Sequence, residues 1–118
     1  MKKALFFATL IGILLLAASA VYAKSAGVLD QIMISPNPMD KFTVITLTFN
    51  QASNIGVNIE TDMGVVVKTL YWGPANEQIV LTWDRIGDDG TTTPSGSYLL
   101  VVNFEGRYTS TKKTVILK

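Results

Sequence analysis

The sequence contains neither cysteine nor histidine among its 118 residues. Without cysteine the chain has no disulfide, no thiolate metal ligand and no nucleophilic thiol. Without histidine it lacks the commonest general base and transition-metal ligand, so Ser95 and Ser97 have no imidazole to activate them. Phosphate-binding and dinucleotide-binding fingerprints are also missing. We therefore expect a protein that is not an enzyme, with no catalytic residue, no cofactor and no metal.

The first 23 residues have the order of a secretory signal peptide. Lys2 and Lys3 precede an apolar run over 4–18, which is short for a membrane span of about 20 residues. Val21-Tyr22-Ala23 fits a small-x-small cleavage pattern, with Ala18-Ser19-Ala20 as a competing site. A retained membrane anchor is the alternative. We predict a signal peptide over 1–23 and a single domain over 24–118.

Neither sign of charge dominates the part that follows. Without Lys2 and Lys3, the ten basic residues become eight against nine acidic ones, which leaves a formal charge of −1. A nearly neutral domain offers no electrostatic attraction for nucleic acid or for an anionic membrane. We expect no nucleic-acid partner and no membrane insertion after the signal peptide is removed.

Helical periodicity is absent from this part, whereas apolar and polar residues alternate repeatedly. Ile45, Leu47 and Phe49 fall on one face with threonines between them, which is the two-residue period of a strand. Segments rich in proline and glycine, at 35–38 and 73–76, interrupt the alternation. The pattern predicts strands at about 28–34, 42–49, 55–60, 65–72, 78–83, 97–104 and 107–118.

About seven short strands at this spacing predict an all-β fold, an immunoglobulin-like antiparallel β-sandwich. A closed small barrel is the alternative. Because the chain has no disulfide, a domain this small must obtain its cohesion from the packing of its apolar faces.

A polar, glycine-rich loop lies between the fifth and sixth predicted strands. Calcium could use the carboxylates of this loop, but the EF-hand spacing fails because Ile86 stands where an oxygen ligand is needed. The simpler interpretation is that the carboxylates accept backbone N–H bonds. The tyrosine would bond its hydroxyl to nearby backbone, and the tryptophan would close the core edge. The residues with these predicted structural roles are Trp83, Asp84, Asp88, Asp89, Gly90, Pro94, Gly96 and Tyr98.

Several short motifs follow one another along the chain. They include Ser35-Pro36-Asn37-Pro38, a hairpin at 63–70, Trp83-Asp84, Ser95-Gly96-Ser97-Tyr98 and a basic-apolar end at 111–118. In this order they resemble the immunoglobulin-like domain of the flagellar hook-capping protein FlgD. Arg85-Ile86-Gly87 replaces the Gly-Arg that usually follows Trp-Asp in that family.

Part of the same pattern is similar to a second family. Pro36-Asn37-Pro38, the stretch 96–100 and the glycine turn with a lysine-rich last strand at 106–118 resemble the C-terminal sorting domain of type IX secretion cargo. The Trp83-Asp84 loop is more typical of the hook-capping relative, so that resemblance ranks first. In both families the module has no catalytic activity, and both imply a bacterial protein at the periplasm, cell surface or outside the cell.

Two pairs of residues are candidates for interaction. Tyr71 and Trp72 precede Gly73-Pro74; packing at the core edge is the favoured interpretation, and an exposed aromatic contact for carbohydrate or protein is the alternative. Lys112 and Lys113 belong to the basic last strand. They could attract anions or act as a secretion signal, but the favoured interpretation is that they discourage edge-to-edge strand pairing.

These features predict a secreted, FlgD-type immunoglobulin-like module for protein–protein attachment or assembly at the cell exterior. Its partner would be another protein or a second copy of the chain. Val28 and Leu29 begin a strand that could pair with the sheet edge of a neighbour. The alternative is a stand-alone sorting or targeting domain of type IX secretion.

Overall fold

A computed structural model describes residues 27–118, and the predicted signal peptide over 1–23 lies outside them. The described strands are β1 (Leu29–Ser35), β2 (Thr43–Phe49), β3 (Ser53–Glu60), β4 (Val66–Ala75), β5 (Gln78–Trp83), β6 (Gly96–Phe104) and β7 (Ser110–Leu117). Over 27–118 no helix has the length and apolar character needed to cross a bilayer.

The seven strands form two antiparallel sheets. One sheet has the order β1-β2-β5 and the other has the order β4-β3-β6-β7. The chain crosses from one sheet to the other after β2, after β4 and after β5, so the connections tie the two layers together. The predicted all-β, immunoglobulin-like sandwich is confirmed, and the two sheets stay open rather than closing into a barrel.

The core lies between the inner faces of the two sheets and follows the alternation in the sequence. Every second side chain of β2 is buried, from Thr43 to Phe49. On β3, Ile55, Val57 and Ile59 are completely buried. The facing strands contribute buried side chains with the same period: Trp83 from β5, Leu100, Val102 and Phe104 from β6, and Val115 and Leu117 from β7.

The predicted break at 73–76 is wrong, because β4 continues to Ala75. Gly73 pairs with Ile55, and Pro74 pairs with Asn54 of β3. Proline is tolerated there because β4 is an edge strand, where a missing N–H removes no bond to a neighbour. Gly73 has a φ of +151°, a conformation that favours glycine.

Two strand starts differ from the predicted ones by more than one residue. β3 begins at Ser53 rather than at 55, because its first residues pair with the extended end of β4. β7 begins at Ser110 rather than at 107, because the chain is still turning there. The N–H of Arg107 donates to the carbonyl of Phe104 at 3.1 Å.

The segment between β1 and β2 covers the outer edge of β7. Met39 is completely buried; its N–H donates to the carbonyl of Ile116 at 2.7 Å, and its carbonyl accepts from Lys118 at 2.9 Å. The side chain of Asn37 extends this pairing. Its Oδ1 accepts from the N–H of Ile116 at 2.9 Å, and its Nδ2 donates to the carbonyl of Thr114 at 3.0 Å. Asn37 and Met39 therefore cover the edge of β7 where a further strand would otherwise pair.

Replacing Leu47 by alanine tests the dependence on packing. Leu47 is completely buried on β2, so Leu47→Ala should lower the free energy of unfolding by about 2–5 kcal/mol. Met33 is 51% exposed, and Met33→Ala should change it by only about 0.5 kcal/mol. Urea denaturation followed by circular dichroism measures both. Equal losses in the two variants would contradict the assignment of the core.

Candidate functional site

Trp83 closes the core at the end of β5 and begins the loop. Its side chain is 1% exposed, and Nε1 donates to the carbonyl of Ile86 at 3.0 Å. Asp84 binds the backbone of Ile86 as well, since its Oδ1 accepts the N–H of Ile86 at 3.0 Å. This is a side-chain turn of the kind that aspartate favours. The loop therefore leaves the sheet in a fixed direction.

Arg85 fixes the base of the loop, a role that the sequence did not reveal. It has a φ of +70°, and its half-buried guanidinium donates three hydrogen bonds. Nε bonds the carbonyl of Thr93 at 2.8 Å, Nη1 the carbonyl of Asp40 at 2.8 Å, and Nη2 the hydroxyl of Ser95 at 3.2 Å. Arg85 thereby joins the outgoing and returning arms of the loop to the segment before β2. In the sequence it stood out only as a departure from the hook-cap motif.

Asp88 attaches the loop to the outer edge of β4. Its N–H donates to the carbonyl of Val67 at 2.9 Å, and its two carboxylate oxygens accept from the N–H of Thr69 at 3.1 and 3.2 Å. Lys68 places Nζ 3.8 Å from the same carboxylate. Gly87 permits the close approach, because a Cβ there would lie 3.2 Å from the carbonyl oxygen of Val67.

Asp89 stabilises the tip of the loop. Its Oδ1 accepts from the N–H of Thr91 at 2.9 Å and from the hydroxyl of Thr91 at 2.8 Å. These bonds, the backbone one foremost, favour the ionised form and lower the pKa of Asp89. Gly90 completes the turn with a φ of +84°, a conformation that favours glycine.

Tyr98 ties the returning arm of the loop to β6. Its hydroxyl donates to the carbonyl of Pro94 at 2.9 Å, which is the corner bond found in many sandwiches. Gly96 has a φ of +151° beneath the tyrosine ring; a Cβ there would lie 3.6 Å from the ring. Thr93 is buried just before this corner, and its hydroxyl has no hydrogen-bond partner among residues 27–118.

A groove of about 440 Å³ lies between this loop and the start of β4. Asp88, Asp89 and Tyr98 line it together with Val66 and Val67. Both carboxylates already accept hydrogen bonds from the protein. In the described part of the chain, no three acidic side chains converge to share a metal ion. The loop residues predicted from the sequence are thus brought together, and their arrangement serves the geometry of the loop.

The structure separates the two aromatic residues of β4. Tyr71 packs against the core and donates its hydroxyl to the carbonyl of Pro74. Trp72 is 70% exposed and lies over Gly56 of β3, where a Cβ would meet its ring at 2.8 Å. The favoured interpretation, packing at the core edge, therefore fits Tyr71 and is wrong for Trp72. The ring of Trp72 is available on the outer face of the four-stranded sheet.

Lys112 and Lys113 lie far from the loop across the four-stranded sheet. They belong to β7, at one edge of that sheet, whereas the loop attaches to β4 at the other. Lys113 reaches across the gap between the sheets and donates Nζ to the carbonyl of Ile32 on β1 at 2.9 Å. Lys112 is exposed and pairs through its backbone with Val101 of β6.

Comparison with known proteins finds a likeness in structure. No protein-family profile matches the chain, and no curated protein matches it. Dimeric latent PorU from Porphyromonas gingivalis aligns with 73% of this chain at a TM-score of 0.59 and 25% identity. PorZ, described as an essential bacterial surface component of the type IX secretion system of Porphyromonas gingivalis, aligns with 75% at a TM-score of 0.49 and 21% identity. The chain covers only 9% of PorU and 12% of PorZ, so it is similar to a small part of each.

These comparisons support the predicted fold but not the first of the two family resemblances seen in the sequence. The likeness to part of PorU agrees with the predicted immunoglobulin-like fold. The resemblance to FlgD has no counterpart among them and stays a prediction.

Gly87→Ala tests the attachment of the loop to β4. The new Cβ would lie 3.1 Å from Asp89 Oδ1 and 3.2 Å from the carbonyl of Val67, so the loop must move outward. We expect a loss of roughly 1–2 kcal/mol in the free energy of unfolding. The Thr69 and Asp88 amides should also exchange faster in hydrogen–deuterium exchange. Gly27→Ala, whose Cβ would meet its nearest atom at 3.7 Å, is the control. Unchanged exchange in Gly87→Ala would refute the attachment.

The lowered pKa of Asp89 predicts how the loop responds to acid. The folded-state pKa of Asp89 lies below the unfolded one. The contribution of Asp89 to the stability of the folded state is therefore complete above the unfolded pKa, about 3.9, and is lost as the pH falls through the folded pKa. Thr91→Val removes the hydroxyl donor and keeps the backbone donor, so the pKa of Asp89 should rise part of the way toward its unfolded value. Carboxyl NMR titration measures it, with Thr92→Val as the control. An Asp89 pKa that Thr91→Val leaves unchanged would count against the hydroxyl bond.

Proposed function

We propose that this chain is an exported, non-enzymatic immunoglobulin-like module that acts by contact with other proteins of a type IX secretion pathway, at the bacterial cell surface or outside the cell. A motif resemblance carries the proposal. The residues at 96–100 and 106–118 resemble type IX sorting domains, and the alignment with part of PorU at a TM-score of 0.59 supports the immunoglobulin-like fold that this resemblance implies.

The position of the last strand supports a sorting role. β7 is an edge strand, so part of it is accessible without unfolding the domain. Asn37 and Met39 cover its second half, whereas Lys112 in its first half is exposed. A receptor could therefore bind the basic part of β7 on the folded domain.

The engagement of the loop residues supports a non-enzymatic role. Asp84, Asp88 and Asp89 each accept a backbone N–H bond. A carboxylate that accepts such bonds is held in place by the loop backbone, which suits a structural role better than proton transfer to a substrate.

A reporter experiment tests the proposal. A small fluorescent protein is inserted after residue 23, ahead of the rest of the chain, and is expressed in a bacterium with a type IX system and in a matched strain without one. We expect the reporter at the surface or in the medium of the first strain and in the periplasm of the second. Lys112→Gln with Lys113→Gln should reduce export several-fold, whereas Lys41→Gln on the loop before β2 should leave export unchanged.

The outcomes separate the proposal from a second candidate. Export in both strains, or retention in both, would exclude a type IX sorting role. The second candidate is attachment to a neighbouring protein, as the hook-capping resemblance implies, and the exposed ring of Trp72 favours it. Retention in both strains, together with a co-purifying protein that Trp72→Ala releases, would support attachment instead.

A further inference from the structure

The two sheets present four edge strands, and three of these edges carry a device that obstructs further pairing. On β1, the backbone of Ile32 faces outward, and its carbonyl accepts from Nζ of Lys113 at 2.9 Å. The pairing of β1 with β2 also shifts register between Leu29 and Gln31. A lysine across the edge and a bulge are both known ways to prevent edge-to-edge association.

The edges of the four-stranded sheet are obstructed as well. On β4, Asp88 occupies the outward groups of Val67 and Thr69, and Pro74 offers no N–H. On β7, Asn37 and Met39 bond to the outward backbone groups of the second half of the strand. The first half contains two lysines, Lys112 and Lys113. Each edge thus combines a bound side chain with a charge or a proline.

β5 is the exception. Its sequence from Gln78 to Trp83 contains no charged residue and no proline, and its register with β2 is unbroken. The N–H of Phe49 donates to the carbonyl of Glu77 at 2.7 Å. Because bonded pairs alternate in an antiparallel ladder, the N–H and C=O groups of Val80 and Thr82 must point away from β2. Among residues 27–118 nothing bonds to these outward groups.

We propose that β5 is a self-association edge, at which two copies of the chain pair β5 with β5 in antiparallel orientation about a two-fold axis at Val80. The two three-stranded sheets then become one continuous sheet with the order β1-β2-β5-β5-β2-β1. The inference goes beyond the proposed function and does not depend on which secretion system exports the chain.

A second copy suits this edge because the strand is compatible with itself. Two-fold pairing at Val80 places Val80 beside Val80 and Gln78 beside Thr82, so no charge meets a like charge. Val80 is 58% exposed on the outer face, and pairing of two such side chains across strands buries apolar surface. An antiparallel pair has a local two-fold axis, so one strand can supply both halves of the contact. β5 has no charged side chain with which a charged partner strand could form an ion pair.

The test measures the oligomeric state of the chain from residue 24 onward, which contains all seven strands and the core. Sedimentation velocity at increasing concentration should show a monomer–dimer equilibrium. Val80→Lys places two like charges at the axis and should raise the dissociation constant by about tenfold or more. Met33→Lys is the matched control: Met33 lies on the same outer face, in register with Thr46 and Val80, but on β1. It should leave the dissociation constant unchanged.

A second variant and a second measurement identify the edge itself. Val80→Pro removes the outward N–H without removing a bond to β2, and it should also weaken the dimer. Hydrogen–deuterium exchange at Val80 and Thr82 should slow as the dimer forms and stay fast in Val80→Lys, with circular dichroism confirming that the variants fold.

A monomer at all concentrations up to about 1 mM, or a dimer that Val80→Lys leaves intact, would overturn the inference. A foreign strand on β5 would appear as slow exchange only in the presence of another protein, which would also overturn it. None of these results changes the outcome of the export experiment, so the two ideas can fail separately.

Discussion

The outward backbone groups at the sheet edges are the constraint on which the arrangement of the loops depends. The two sheets have four edges, and each carries outward N–H and C=O groups that bond either to water or to another part of the protein. At two of them an amide or a carboxylate side chain imitates a neighbouring strand: Asn37 bonds β7, and Asp88 bonds β4. The segments before β2 and after β5 therefore follow paths set by the edges that they cover, and not by local turn geometry alone.

The same bonds connect distant parts of a chain that has no disulfide. Arg85 joins the loop after β5 to the backbone of Asp40, next to the segment that covers β7. Asp88 joins that loop to β4 on the opposite edge of the same sheet. Through these contacts the loop links both sheets beyond the core. Each bond is worth only about 1 kcal/mol, so the packing of apolar side chains remains the main source of stability, and the bonds fix the geometry.

Local alternation was sufficient to predict the strands and the inward residues. Ile55, Val57 and Ile59 follow a two-residue period, and all are buried. The pattern failed where a strand's position in the sheet matters: Pro74 looks like a break, but it is tolerated because β4 lies at an edge. The prediction for Trp72 failed for a related reason, because the short window does not show that its ring lies on the outer face, over Gly56 of the neighbouring strand. The acceptors of Arg85 likewise come from pairings that no short window of sequence contains.

The four edge strands are not equivalent. Small sandwiches commonly protect exposed strands, because an uncovered edge pairs readily with other chains. In this chain β1, β4 and β7 are protected by Lys113, Asp88 and Asn37, while β5 is left neutral, regular and uncovered within 27–118. The basic edge at β7 and the neutral edge at β5 belong to different sheets, so the export contact proposed for β7 and the pairing proposed for β5 use different strands.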